Sequence, residues 1–414
     1  MKTNYSTKCD GIGGLIKRRI SDFIVEEITP DGKVCEVKCF TAEEKKECEL
    51  KVPANPGNGE EQLVLVLEKF NSDQQNAIRK VTRFLQVSNN RIGYAGLKDK
   101  RAITSQRISI WNPDAGKLEN FKSRYIALRD PKWGKDRVEI GGLKGNRFTI
   151  TVRDVRLGEK ELKERIGNCF KEMENGIANY FGEQRFGGAR EVTHLVGKEF
   201  VRGNFEDGVM LYLTATFPLE EEDVKNARIG LAKTRDFSKA IREFPAKFRY
   251  ERSIIHHLCK YPSDYIGAFR KLPKHMQYLF THAYQSLLFN RIIERRFEEG
   301  MGLGKVDGDI LDNGIPTVPL LGFESEFAEG KAGEIEKEVL CGEGLTLEDF
   351  RIREFPELSA KGGRKRIALF PEGLRLIKVE EDELNEGSLK AVVSFSLEKG
   401  SYATTVLREL MKVE

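Results

Sequence analysis

The chain has 414 residues, of which 39% are hydrophobic and 32% charged, and a net charge of +4. That length allows two or three domains, each with its own core, and the composition is that of a folded globular protein rather than a disordered one. No apolar run is long enough for a bilayer, and a charge this mild means that any nucleic-acid site must come from local clustering. The opening MKTNYSTKCDGIGG lacks the apolar centre of a signal peptide, so the expected location is cytoplasmic.

Gly11–Lys17 (GIGGLIK) is glycine-rich but lacks the strand-loop-helix setting of a dinucleotide site. Asp22–Ile28 and Lys33–Phe40 flank Thr29-Pro30-Asp31-Gly32 and read as a hairpin. Cys35, Cys39 and Cys48 lie close together, but no His precedes His194, which argues against zinc. Seven cysteines in a chain this long do not suggest a disulfide framework, and Cys169 fits the apolar face of a helix. Ala42–Cys48 mixes charges of both signs and, with Pro53–Glu61, reads as an exposed loop. Leu63–Leu67 is a continuous apolar run, the pattern of a strand buried on both faces. Ala77, Ile78, Val81, Phe84 and Leu85 recur at helical spacing after Ser72 or Asp73, either of which can cap. Strand, helix and strand thus lead into Gly93–Arg107 as an α/β unit.

In that stretch Lys98-Asp99-Lys100-Arg101 stands between two strand patterns. Three cations favour the ionised carboxylate at neutral pH, and an ionised carboxylate serves as nucleophile or base. The same cations attract phosphate. Trp111–Val138 reads as irregular. In Lys144–Arg153, Phe148, Ile150 and Val152 alternate with Arg147, Thr149, Thr151 and Arg153, a half-buried strand. Glu159–Asn175 is an amphipathic helix, followed by Asn179–Gly188, which crowds aromatics, glycines and Arg185 into a short span suited to phosphate and base contacts. Phe280–Phe297 is a helix with Tyr284, Leu287, Leu288, Ile292 and Ile293 inward. Lys361–Arg366 reads as a flexible basic loop whose Arg364, Lys365 and Arg366 can meet phosphate. Ala391–Leu397 is a strand, and a helix follows the turn at Gly400.

GYAGLKDKRAITSQ resembles the catalytic loop of the TruD family of tRNA pseudouridine synthases. Four further segments resemble that family in order: Phe23-x-Val25-x-Glu27, Lys144-Gly145-Asn146-x-Phe148, Asn179-Tyr-Phe-Gly-x-Gln-Arg-Phe-Gly187, and Leu397-x-x-Gly400-Ser-Tyr-Ala-Thr404. The resemblance implies that Asp99 is the catalytic residue and that Phe23, with Lys17 and Glu27, lines the uridine pocket. It further implies that Asn146 holds Asp99, that Phe148 packs on the target base, and that Tyr402 stands where other members carry Phe. Lys98, Lys100, Arg101, Arg185, Arg364, Lys365 and Arg366 are the candidate RNA contacts. The implied fold is α+β: a discontinuous catalytic domain, residues 1–187 and 362–414, with a mixed, largely antiparallel β-sheet and flanking helices, plus an inserted α/β (TRUD) domain at 188–361. The implied function is isomerisation of uridine to pseudouridine, usually at uridine 13 in the D arm of tRNA, by a monomer with no cofactor or metal. A non-catalytic tRNA-binding chaperone is the alternative.

Overall fold

The structure is a computed structural model describing residues 4–41, 44–46, 48–188, 190–218 and 220–413. Packing divides the chain into two units. One is Ser6–Ile177 with Leu369–Glu414; the other is Ala178–Ala368, joined by Asn4 and Tyr5. The Asn179–Gly187 motif therefore packs with the inserted unit.

The first unit is built on an eight-stranded sheet. Seven strands run in the order Glu372–Glu381, Leu389–Glu398, Gly145–Val155, Phe23–Ile28, Ile103–Trp111, Gln62–Phe70 and Ile126–Gly134; Ile92–Tyr94 pairs with part of Ile103–Trp111. Phe23–Ile28 and Ile103–Trp111 are parallel, and the other pairings in this sheet are antiparallel. The sheet is thus mixed and largely antiparallel, with helices against it. Phe148, Ile150, Val152 and Phe395 pack with Leu162, Ile166 and Cys169 of helix Glu159–Met173 and with Val406 and Leu410 of helix Ala403–Met411. Leu63, Leu65, Leu67, Ile108 and Ile110 pack with Ala77, Ile78 and Val81 of helix Gln74–Leu85. Asp73 caps that helix, accepting from the N–H groups of Gln75 and Asn76 at 3.0 and 3.2 Å. The two pieces of the unit are bound by buried Glu409, which accepts from the Thr7 N–H at 3.0 Å and the Thr7 hydroxyl at 2.8 Å.

Several local readings change. Leu63–Leu67 is not buried on both faces: Leu63, Leu65 and Leu67 are buried, whereas Val64 and Val66 are half-buried. The hairpin after Ile28 has its turn, but its second arm makes one bridge, Ile28 to Val34. The Trp111–Val138 stretch holds the strand Ile126–Gly134, disguised by Pro131 and a register shift at the sheet edge, where both are tolerated. Strand, helix and strand do form a crossover unit: Gln62–Phe70 and Ile92–Tyr94 both run antiparallel to Ile103–Trp111, which lies between them, so they are parallel to each other across it. Cys39 and Cys48 are joined by a disulfide across a Cα–Cα distance of 6.1 Å, within reach of such a bond. Of the expected loop around them, Ala42, Glu43 and Glu47 lie outside the described residues.

The second unit is mainly helical. Its long helix Lys274–Glu298 buries Tyr284, Leu287, Leu288, Ile292 and Ile293, and a three-stranded antiparallel sheet joins Ile310–Asp312, Ile315–Leu320 and Gly363–Arg366. The basic segment expected as a flexible loop is therefore a strand. No helix among the described residues is long and apolar enough to cross a membrane.

Candidate active site

Asp99 lies on the connection between the antiparallel strands Ile92–Tyr94 and Ile103–Trp111. Its side chain is 37% exposed, and Oδ1 is 3.2 Å from Lys17 Nζ. That ammonium also sits over the ring of Phe23, 3.9 Å from its centroid. Lys17 has φ of 56°, in the left-handed region, where a non-glycine residue is held only by its surroundings. Phe23 meets Phe148 edge-on at 6.3 Å, and Phe148 stacks on Phe395 at 5.5 Å. Register explains this ring series: Val25 pairs with Phe148, Phe148 pairs with Phe395, and Phe23 points to the same side of its strand as Val25. A carboxylate, an ammonium and a buried aromatic wall thus meet at one place.

Glu27 lies on the same strand as Phe23. Its carboxylate is fully buried and receives Lys98 Nζ at 3.0 Å and the Arg107 N–H at 3.3 Å. The Lys98 side chain is itself only 3% exposed, so its charge faces inward to Glu27 rather than outward to phosphate. The expected contact between Asn146 and Asp99 is not formed. Asn146 pairs with Glu27 through the backbone, and its buried Oδ1 has no protein hydrogen-bond partner. Tyr402 is 44% exposed and occupies the N-cap position of the last helix. Lys100 and Arg101 are exposed, and neither meets a carboxylate among the described residues.

The family model for tRNA pseudouridine synthase D (TruD) matches residues 2–314 and 311–410. The chain belongs to the tRNA pseudouridine synthase D family. It is 40% identical, over 99% of this chain and 95% of the relative, to a protein of Methanosarcina acetivorans named probable tRNA pseudouridine synthase D. It is 37% identical to one of Methanocaldococcus jannaschii named probable tRNA pseudouridine synthase D 1, over 97% and 96% of the two chains. A crystal structure described as that of the "Putative tRNA pseudouridine synthase D (TruD)" from Methanosarcina mazei matches with a TM-score of 0.79 and 39% identity, covering 99% of this chain and 96% of that one.

The remaining family motif and the basic strand belong to the inserted unit. Asn290 of the long helix clamps Phe181, accepting from its N–H and donating to its carbonyl, both at 2.9 Å. Arg185 donates Nε to Ser286 Oγ at 3.0 Å. Arg364 donates to buried Glu336 at 2.6 Å, and Arg366 to Asp312 at 2.7 Å. Lys365 lies 5.3 and 5.4 Å from the ring centroids of Phe181 and Phe289, and burial pulls its amine down to about 7. Arg364 and Arg366 therefore hold strands and helix together, because their charges already have carboxylate partners.

One residue of the site escaped the sequence reading. Lys69 is fully buried, and its Nζ donates to the backbone carbonyls of Lys98, at 3.3 Å, and of Asp99. It fixes the Asp99 loop from behind. Desolvation lowers its amine to about 8 against the opposing pull of Asp99 and Asp73. The signal was present as two charges, Glu68 and Lys69, ending an otherwise apolar strand. Glu68 is equally buried and pairs with Arg129.

Proposed function

We propose that this chain isomerises uridine to pseudouridine in tRNA, acting at uridine 13 of the D arm, as a monomer in the cytoplasm, with Asp99 as the acting carboxylate. Membership of the family supports the reaction and the substrate. The position follows from the resemblance of the Asp99 loop and its companion segments to the family's own. The observation that carries the role of Asp99 is its half-exposed carboxylate, paired with Lys17 at the edge of the Phe23–Phe148 wall.

A base inside a folded tRNA must leave its stack before the glycosidic bond can be reached. Aromatic faces compensate the lost stacking by roughly 1–3 kcal/mol per base. Cleavage of the C1′–N1 bond develops positive charge on the ribose, which an ionised carboxylate stabilises or traps, as carboxylates do in glycosidases, or relieves by taking a sugar proton that it returns when the base rejoins. The released uracil turns, C5 bonds to C1′, and the C5 proton is lost as N1 gains one. Reactant and product have the same atoms and oxidation level, so the reaction requires no redox partner. Lys17 orients the carboxylate through their 3.2 Å contact.

Incubation of the purified protein with tRNA transcripts, followed by carbodiimide mapping, tests this reading. A stop appearing at position 13, and absent from a transcript with cytidine there, is expected. Bound but unmodified tRNA would favour the chaperone reading instead, and a stop at another uridine would overturn the assignment of position.

A further inference from the structure

Leu97 is 69% exposed, and among the large hydrophobic residues described only Ile140, at 73%, is more so. Single exposed leucines are ordinary on protein surfaces. This one differs in being held rigidly two residues from Asp99. On its N-terminal side the Ala95 carbonyl accepts from the Gly141 N–H at 2.7 Å, and the Gly96 carbonyl accepts from Gln106 Nε2 at 3.1 Å. On its C-terminal side Lys69 holds the carbonyls of Lys98 and Asp99, while the Lys98 side chain is anchored on buried Glu27. The backbone on both sides of Leu97 is thus tied inward, and the one large apolar side chain of the loop is left in water.

The chemistry of the adjoining groups identifies what such a side chain meets. Lys100 and Arg101 are exposed cations on the same loop, placed for phosphates flanking the target nucleotide. When a base is extruded, the gap left in the stack is an apolar slot, and apolar side chains are the residues that enter between base steps. A wedge works best when it is already ordered, because little entropy is then lost on insertion.

We propose that Leu97 is the wedge that enters the tRNA stack as the target uridine leaves it, and so sets the choice of a stacked substrate. This inference rests on the reading of Asp99 as the acting carboxylate. The wedge touches the neighbours of the target base, whereas Asp99 touches its ribose.

Single-turnover rates of Leu97→Ala on two RNAs test it: a tRNA transcript, and the same transcript with abasic residues flanking the target uridine. The rate on intact tRNA is expected to fall about 10-fold, with little change on the abasic-flanked RNA and with recovery in Leu97→Met. Equal losses on both RNAs, or no loss on either, would overturn the proposal. A 2-aminopurine beside the target uridine gives a readout independent of chemistry. Its fluorescence should rise on binding to wild type and to Asp99→Asn, but much less with Leu97→Ala. If wild type converts neither RNA, the catalytic reading fails, and the aminopurine signal still decides the wedge: a rise lost in Leu97→Ala supports it, and an unchanged rise overturns it.

Discussion

Lys17 Nζ lies 3.2 Å from Asp99 Oδ1 and 3.9 Å from the centre of the Phe23 ring, so one ammonium ties the carboxylate to the aromatic wall. Such a group contributes through position and charge. Lys17→Met should lower turnover by about 100-fold or more, in the range of losing a preorganised electrostatic partner. Single-turnover conversion of tRNA measures this, and a loss below a few-fold would mean that Asp99 is oriented by something else.

Lys69 links pH to the same loop. With its amine lowered to about 8 by burial, it is charged below that pH and grips the Lys98 and Asp99 carbonyls. As pH rises through 8 the charge is lost, and turnover should fall along an alkaline limb that moves upward in Lys69→Arg. Stability should move the other way. In the unfolded chain a lysine keeps its proton to about 10.4. Between the two values the unfolded state therefore binds more protons, and the cost of burying the charged amine is relieved as pH rises. Denaturant titrations of wild type and Lys69→Met at several pH values should show this opposite trend.

Glu27 and Lys98 form a pair with side-chain exposures of 0% and 3%. Removing one partner strands a buried charge, so Glu27→Ala should cost about 3–5 kcal/mol of stability. Replacing both with apolar residues should recover much of that loss. Chemical unfolding of the two single variants and the double variant checks this. Equal instability of all three would mean that the pair is not what holds the loop to its strand.

Phe148 and Tyr402 should separate cleanly. Phe148 is 5% exposed and stacks on Phe395, so Phe148→Ala should destabilise the fold by about 3–5 kcal/mol, the usual cost of emptying a buried aromatic site. Tyr402 is 44% exposed, and Tyr402→Ala should leave stability within about 0.5 kcal/mol while lowering conversion of tRNA. Thermal melts beside activity assays distinguish the two.

What was legible in the sequence followed from local periodicity. Phe148, Ile150 and Val152 alternate on one strand, and Tyr284 through Ile293 keep helical spacing, because burial of one face writes itself into the chain. The Asp99 loop stood out by its charge density. What escaped was decided by long-range pairing. Arg153 belongs to the polar alternation of its strand, yet it is buried against Asp22 and Asp382, more than a hundred residues away in either direction. Lys98 looks like its neighbours Lys100 and Arg101, and only its ion pair with buried Glu27, 71 residues earlier, turns it inward. Arg364–Arg366 reads as loose because nothing nearby in sequence reveals Glu336 or Asp312. The strand Ile126–Gly134 was masked by the proline that an edge strand can carry.

The most direct test is Asp99→Asn. The substitution keeps the size of the side chain and removes its charge, with Lys17 and the ring wall left in place. Pseudouridine in tRNA, read by carbodiimide mapping after prolonged incubation, should be absent, while the affinity for tRNA stays within a few-fold of wild type. Near-normal pseudouridine formation by that variant would contradict the assignment of the carboxylate at position 99.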